Sequence, residues 1–242
     1  ENLWPIRASD PYWTWHKAFG AYGADNWMGS AQYLHLFGDL PDLETTVRCS
    51  QFVQAEGLRY ANQSMRRHEW HRSACASWTY NEPWPNAAHG CVVEYYGKPK
   101  MAYYYSRASY APVDVSAEYP SLTCQAGVPF PLKLFAVSDH TNLLQRCQLT
   151  ATAVDVRGRE FAREIWRFDL APETSCQVAT FNLKPPEESA GSVVLVQLRL
   201  ADSEGKELSV ETYTFGVIGQ ILADALAPLR VPAVSSEGRR NL

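Results

Sequence analysis

No run of apolar residues in this 242-residue chain approaches the ~18–20 that a membrane-crossing helix needs, so no membrane-spanning helix and no membrane partner is expected. An excess of positive charge is missing as well. The formal net charge is -4, and without a basic face or stripe nucleic acid is not an expected partner. Glycine-rich phosphate loops, a Gly-x-Ser-x-Gly elbow and Cys-x-x-Cys pairs are all absent. Their absence removes a nucleotide cradle, an α/β-hydrolase serine nucleophile and the usual zinc-ligand spacing, so no metal and no cofactor is expected. The six cysteines (Cys49, Cys75, Cys91, Cys124, Cys147, Cys176) stand far apart and read as mostly buried thiols; their even number leaves disulfides, and the compartment, open. A charged start followed by an apolar core is lacking too, and the first residue is Glu1 rather than methionine. The expectation is a processed start or a piece of something longer.

What is present is an ordinary globular composition, 46% apolar and 20% charged, enough for a packed core. The length allows one large or two modest domains, and the distribution of aromatics favours two. All eight tryptophans but Trp166 occur by residue 84, and ten of the thirteen tyrosines by residue 105. The character changes near Ala111-Pro112, from helical and loop-like signals to alternating, β-branched ones. The expected division is residues 1–111, residues 112–218 and a linker or start of a further module over 219–242, where Ala-Pro and Val-Pro steps and a polar end appear.

In the first part, residues 42–68 lack proline, and Leu43, Val47, Phe52, Val53, Leu58, Ala61 and Met65 recur at helical spacing behind a capping Asp42. A helix of ~26 residues spans ~39 Å at 1.5 Å per residue, which suits the outer layer of a large barrel. Gly57 weakens its middle. The small, nearly uncharged residues 73–78 then suit a strand covered on both sides. A second helix is expected to start near Pro99 and to carry Met101, Tyr104, Tyr105 and Ala108 toward a core. Helix, strand, loop, helix is the closing rhythm of an α/β barrel. From Val113 to Val217 strand-length runs alternate with turn signals such as Gln125-Ala126-Gly127 and Asp202-Ser203-Glu204-Gly205-Lys206, and seven strands fit. Val194, Val196, Leu198 and Leu200 mark one strand with a core face. The spacing argues an immunoglobulin-like β-sandwich.

The chemistry concentrates in Ser77-Trp78-Thr79-Tyr80-Asn81-Glu82-Pro83-Trp84-Pro85. Trp78 and Trp84 offer flat apolar faces on which a pyranose ring lies, while Asn81 and Glu82 bond its hydroxyls. Either tryptophan alone is equally well explained by packing on a helix; with Asn81 and Glu82 beside them they favour a sugar site. Glycosidic hydrolysis usually takes two carboxyl groups, ~5–5.5 Å apart when configuration is retained. Glu82 is one, and neither Asp10, Asp25, Asp39 nor Glu94 has a comparable setting. Three readings of Glu82 therefore stay open: catalytic acid, substrate-binding or orienting group, and loop acid. His68-Glu69-Trp70-His71 departs from metal-binding spacing and reads as structural or solvent-facing, and His89 has no nameable partner.

These residues resemble the C-terminal portion of glycoside hydrolase family 2, in its β-mannosidase-like branch. Glu1-Asn2-Leu3-Trp4-Pro5 resembles the segment after the nucleophile strand, residues 50–61 the penultimate barrel helix, residues 78–85 the last barrel strand, and Glu94-Tyr95-Tyr96-Gly97-Lys98-Pro99-Lys100 the entry to the final helix. The resemblance implies an α/β then all-β chain: the C-terminal portion of a (β/α)8 TIM barrel followed by an immunoglobulin-like β-sandwich. It implies a retaining, exo-acting hydrolase of terminal β-mannosides or a related β-glycoside (β-galactoside, β-glucuronide or β-glucosaminide), with no cofactor. The family's acid/base glutamate stands in an Asn-Glu pair, but the context of Asn81-Glu82 matches the eighth strand instead. Both catalytic glutamates are then expected upstream of residue 1, in a remainder of the barrel on the same polypeptide. This chain carries no catalytic residue on that reading and is expected to be inactive alone; Trp78, Asn81, Glu82 and Trp84 are its substrate-binding residues. The competing reading is a non-catalytic carbohydrate-binding or adhesion protein in which the sandwich binds glycans. Against it, residues 113–217 hold only Trp166, Tyr119 and Tyr213 as platform aromatics.

Overall fold

The computed structural model describes Pro11, His16 and residues 36–38, 40–68, 71–72, 74–85 and 90–218. Helix α1 runs Leu43–Arg67, with Asp42 in an extended conformation at its N-cap. The Asp42 carboxylate accepts the Thr45 N–H at 2.7 Å, satisfying one of the donors that a helix start leaves unpaired. Glu44 in the first turn and Arg66 and Arg67 in the last complement the helix dipole. Gly57 does not interrupt the helix; it lies on the exposed side.

The buried face of α1 is not the apolar stripe that the spacing predicts. Thr46, Ala55, Glu56, Arg59, Asn62, Gln63 and Arg67 are buried, whereas Val47 and Ala61 are exposed. A mainly polar face goes inside because a second layer of polar groups meets it. Helix α2, Met101–Ser109, starts one residue after Lys100 and lays Ala102, Ser106 and Ser109 toward α1. Small side chains let the two helices approach, and Asn62 Nδ2 donates to Ser109 Oγ at 3.1 Å. Tyr104, expected to face the core, is exposed; Met101, Tyr105 and Ala108 are half-buried.

The strand expected over residues 73–78 is absent from the described residues 74–78. A strand needs a neighbour for its N–H and C=O groups, and among the described residues only the segment around Val93 comes alongside. It supplies a single parallel bridge, Asn81 to Val93, with Val93 N–H donating to Tyr80 O at 2.9 Å. The barrel reading therefore has no sheet among the described residues.

The rest is a two-layer sandwich of eight strands, one more than the sequence suggests: β1 Val113–Glu118, β2 Thr123–Gln125, β3 Phe130–Ser138, β4 Leu144–Asp155, β5 Glu160–Leu170, β6 Thr174–Leu183, β7 Val193–Ala201 and β8 Glu207–Ile218. Three-residue β2 is too short to declare itself by alternation. One sheet has the order β1-β3-β6 and the other β2-β8-β7-β4-β5; only β2 and β8 pair in parallel. Val194, Val196, Leu198 and Leu200 of β7 are fully buried, as their alternation predicts, and meet Leu132, Leu134, Phe181 and Leu183 of the opposite sheet in one core. All six cysteines are free thiols; Cys91, Cys124 and Cys147 are buried, and burial pushes Cys124 up to about 11.

Helix α1 docks on this sandwich through charge. Arg59 Nη2 donates to Glu56 at 2.6 and 2.7 Å, and Nη1 donates to Glu211 Oε2 at 3.1 Å and to Thr212 O at 2.7 Å. Its guanidinium lies 4.1 Å from the Tyr213 ring centre and 4.7 Å from that of Tyr105. The Tyr213 hydroxyl donates to Gln63 Oε1 and accepts the Ala117 N–H, both at 2.9 Å. Arg66 grips Asp139 with two 3.0 Å contacts and donates to Ala111 O at 2.6 Å, across the chain's change of character. No helix among the described residues is long and apolar enough to cross a membrane.

Candidate functional site

Helix α1 fixes the segment that carries the tryptophans from both sides. Gln54 Nε2 donates to Gly90 O at 2.7 Å and Cys91 O at 3.1 Å. Farther along the helix, Asn62 Oδ1 accepts from the Cys75 thiol and from the Tyr110 hydroxyl, each at 3.1 Å, and Tyr110 also donates to Cys75 O. Between these anchors Gly90 passes so close to Trp78 that a Cβ there would lie 2.7 Å from the Trp78 carbonyl oxygen. Only glycine permits that approach without displacing backbone.

The four residues singled out by sequence fall into two environments. Trp78 is 75% exposed, Trp84 is 56% exposed and Asn81 is also exposed, while Glu82 is 6% exposed. Its backbone N–H donates to Val93 O at 3.2 Å. Its carboxylate lies beside the Cys91 thiol, to which Lys100 Nζ donates at 3.2 Å. Burial raises the Cys91 thiol above its ordinary range, Lys100 pulls it down, and Glu82 adds to the rise. Glu82 thus points into the support of the segment, and the two tryptophans and Asn81 point to its surface.

Trp84 has a neighbour that sequence reasoning missed. His16 stacks on it with ring centres 6.2 Å apart and planes at 16°, and its Nδ1 lies 2.6 Å from Pro85 O. Tyr80, Tyr95 and Tyr96 are exposed too, so the first half of the chain displays a group of aromatic faces. A group of exposed large aromatics is the composition of an interaction surface rather than of a core.

Of the other acids considered, Glu94 is half-buried in the turn before α2, and Asp10, Asp25 and Asp39 lie outside the described residues, as do Glu1-Asn2-Leu3-Trp4-Pro5, His89 and residues 219–242. His68 and His71 are exposed, and His68 Nδ1 contacts Ser64 O at 2.7 Å. Among the described residues no group of three or more His, Cys, Asp or Glu side chains is placed to hold a metal ion. An open groove at the end of the five-stranded sheet, lined by Arg146, Gln148, Arg167, Asp169 and Asp202, shares no residue with the tryptophan segment and contains no tryptophan or tyrosine. Nor does the sandwich offer an aromatic platform elsewhere. Tyr119 and Tyr213 are buried, and Trp166 packs edge-on to Phe181.

Residues 131–217 match the family described as the Mannosidase Ig/CBM-like domain. The chain is 26% identical over 215 residues to beta-mannosidase B of Thermothelomyces thermophilus, an alignment covering 83% of this chain and 22% of that protein. Among solved structures, the exo-β-D-glucosaminidase CsxA of Amycolatopsis orientalis superposes with a TM-score of 0.69 at 18% identity, covering 88% of this chain and 24% of that one. A β-D-mannosidase from Dictyoglomus thermophilum gives a TM-score of 0.62 at 19% identity over 80% of this chain and 22% of the enzyme. The resemblance to the β-mannosidase-like branch of glycoside hydrolase family 2 is borne out, and the protein is related to glycoside hydrolases. It spans less than a quarter of each of these relatives.

Proposed function

We propose that this chain supplies the end of a (β/α)8 catalytic barrel, residues 1–111, and the immunoglobulin-like sandwich that follows it, residues 112–218, to a retaining, exo-acting glycoside hydrolase. Terminal β-mannosides are the favoured substrates, with β-glucosaminides, β-galactosides and β-glucuronides as the alternatives that the same subsite accommodates. The observation that carries the reading is the pair Trp78 and Trp84, exposed around Asn81 on a segment held from behind by Gln54, Asn62 and Tyr110. In the assembled enzyme Trp78 stacks on the sugar at the cleaved bond, Trp84 lines the pocket with His16 behind it, and Asn81 bonds hydroxyls. Glu82, buried beside Cys91, holds the tryptophans' neighbourhood.

The reaction requires two carboxyl groups flanking the glycosidic oxygen. This reading assigns both to the remainder of the barrel in the same polypeptide, so that the chain binds sugar without cleaving it. It also accounts for an aromatic surface with no sheet behind it among the described residues, since the strands that complete a barrel are non-local partners. The buried or half-buried aromatics of the sandwich favour this assignment over a glycan-binding sandwich.

The role of Trp78 is open to direct measurement. In the intact enzyme Trp78→Ala is expected to lower kcat/KM at least tenfold, about 1.4 kcal/mol of transition-state binding. An effect within twofold on the preferred p-nitrophenyl β-glycoside would remove Trp78 from the subsite.

A further inference from the structure

The junction between α1 and the sandwich buries three carboxylates, two of which share the Arg59 guanidinium. Glu56, Glu211 and Asp114 are 2%, 5% and 0% exposed. Glu56 has the better hold on Arg59, with two contacts to Nη2 and a 3.4 Å bond from the Tyr119 hydroxyl. Glu211 has a single 3.1 Å contact through Oε2, and among the described residues nothing hydrogen-bonds its Oε1. Neither oxygen of Asp114 has a hydrogen-bond partner of normal geometry among the described residues; the nearby Gln63 amide favours its charged form less than Arg66 and Arg67 do.

The remaining charged and titratable groups around them do not make up the deficit. From α1, Arg66 is engaged by Asp139 and by backbone carbonyls, and Arg67 donates to Ser116 Oγ and Ala117 O while lying over Tyr60 and Phe135. From α2, Tyr105 covers one face of Arg59, and from β8 Tyr213 covers it closely; burial raises both phenols above their ordinary range, so they bring no charge near neutrality. Tyr119, after β1, is raised by burial in the same way. A buried carboxylate without its own cation takes up a proton rather than stay charged.

We propose that this junction is a proton-binding joint, which holds protons on Glu211 and Asp114, tightens in mildly acidic solution and loosens as the pH rises past neutrality. Burial pushes Glu211 up to about 7 against the pull of Arg59. Burial, then the neighbouring Glu211, raises Asp114 well above the usual carboxylate range against Arg66 and Arg67. The sign follows from linkage. Both groups bind protons more tightly in the folded chain, so their contribution is full below the unfolded carboxylate range and is lost as pH rises through their raised folded values, about 7 for Glu211 and well above the usual carboxylate range for Asp114. The inference concerns the packing of α1 on the sandwich and stands whether or not the parent protein cleaves glycosides.

The test uses the 242-residue chain with 13C-labelled carboxyl groups. The Glu211 side-chain carbon, assigned by through-bond correlation in the unsubstituted chain, is expected to titrate near 7, and the Asp114 carbon well above the ordinary carboxylate range. Thermal melts between pH 5.5 and 8.5 are expected to show Tm falling with pH, and Glu211→Gln together with Asp114→Asn to flatten the profile. A Glu211 signal titrating in the ordinary range near ~4.3 overturns the proposal, as does a profile for the double variant that runs parallel to the original.

Discussion

Replacing Arg59 by methionine is expected to destabilise the docking of α1 on the sandwich by about 3–5 kcal/mol at pH 7, the usual cost of removing one partner from a buried ion pair. Methionine is apolar and of similar reach, so the loss is not one of volume. What it leaves behind is Glu56 and Glu211 facing each other at 2% and 5% exposure with no cation between them. The Thr212 carbonyl and the faces of Tyr105 and Tyr213 lose their partner at the same time. In a chain of this size the drop in Tm is roughly 6–20 °C, taking ~2–4 °C per kcal/mol. Substituting the whole set, Arg59→Met with Glu56→Leu and Glu211→Leu, is expected to recover most of it, because apolar groups of similar volume commonly replace a buried ion cluster without loss. Melting curves for the single and triple variants check both statements; a single variant within 1 °C of the original would mean that the cluster contributes little.

Leu198→Ala is the second large effect, with an expected cost of about 2–5 kcal/mol. Leu198 sits in the middle of β7, fully buried, opposite Ala151 on one side and Glu211 on the other. Both flanking strands are long and paired along their length, so the surrounding backbone has little freedom to collapse into the space. Urea unfolding followed by far-UV circular dichroism, which reports mainly on the sandwich strands, measures the loss. The exposed Ile165 provides the contrast: Ile165→Ala is expected to change stability by less than ~0.5 kcal/mol.

The parts of this molecule that were legible in its sequence are those governed by local rules. Pro41, the Asp42 cap and the absence of proline give α1 its start and length to within a residue, and the strict alternation of β7 gives its buried face. The buried face of α1 was not legible. Periodicity assumes that apolar residues go inside, but Glu56, Arg59 and Gln63 are covered by Glu211 and Tyr213, about 150 positions away, and nothing near them in sequence announces that partner. The same limit explains Tyr104, whose side of α2 is decided by small residues that admit α1. It explains the missing strand before Trp78 too, since strand formation depends on neighbours rather than on composition.

The candidate site divides in the same way. Trp78, Asn81, Glu82 and Trp84 stood out because tryptophans, an amide and a carboxylate so close together serve few ligands other than sugars. Their different depths did not, because one residue's shift along an extended segment turns a side chain from surface to support. The positioning residues Gln54, Asn62 and Tyr110 read as ordinary helix residues, and His16 lies 68 positions from Trp84. Only the packed chain brings them together.

We propose that this chain completes a glycosidase whose catalytic carboxylates lie elsewhere in the same polypeptide. The most direct test is hydrolysis of p-nitrophenyl β-mannoside, and of the corresponding β-glucosaminide, β-galactoside and β-glucuronide, by this chain alone and by the product of the reading frame extended upstream of Glu1. The account predicts no turnover by the chain alone, and retaining hydrolysis by the extended protein that is lost when its upstream glutamates are changed to glutamine. Hydrolysis by the 242 residues alone, or sugar binding without cleavage by the extended protein, would contradict it.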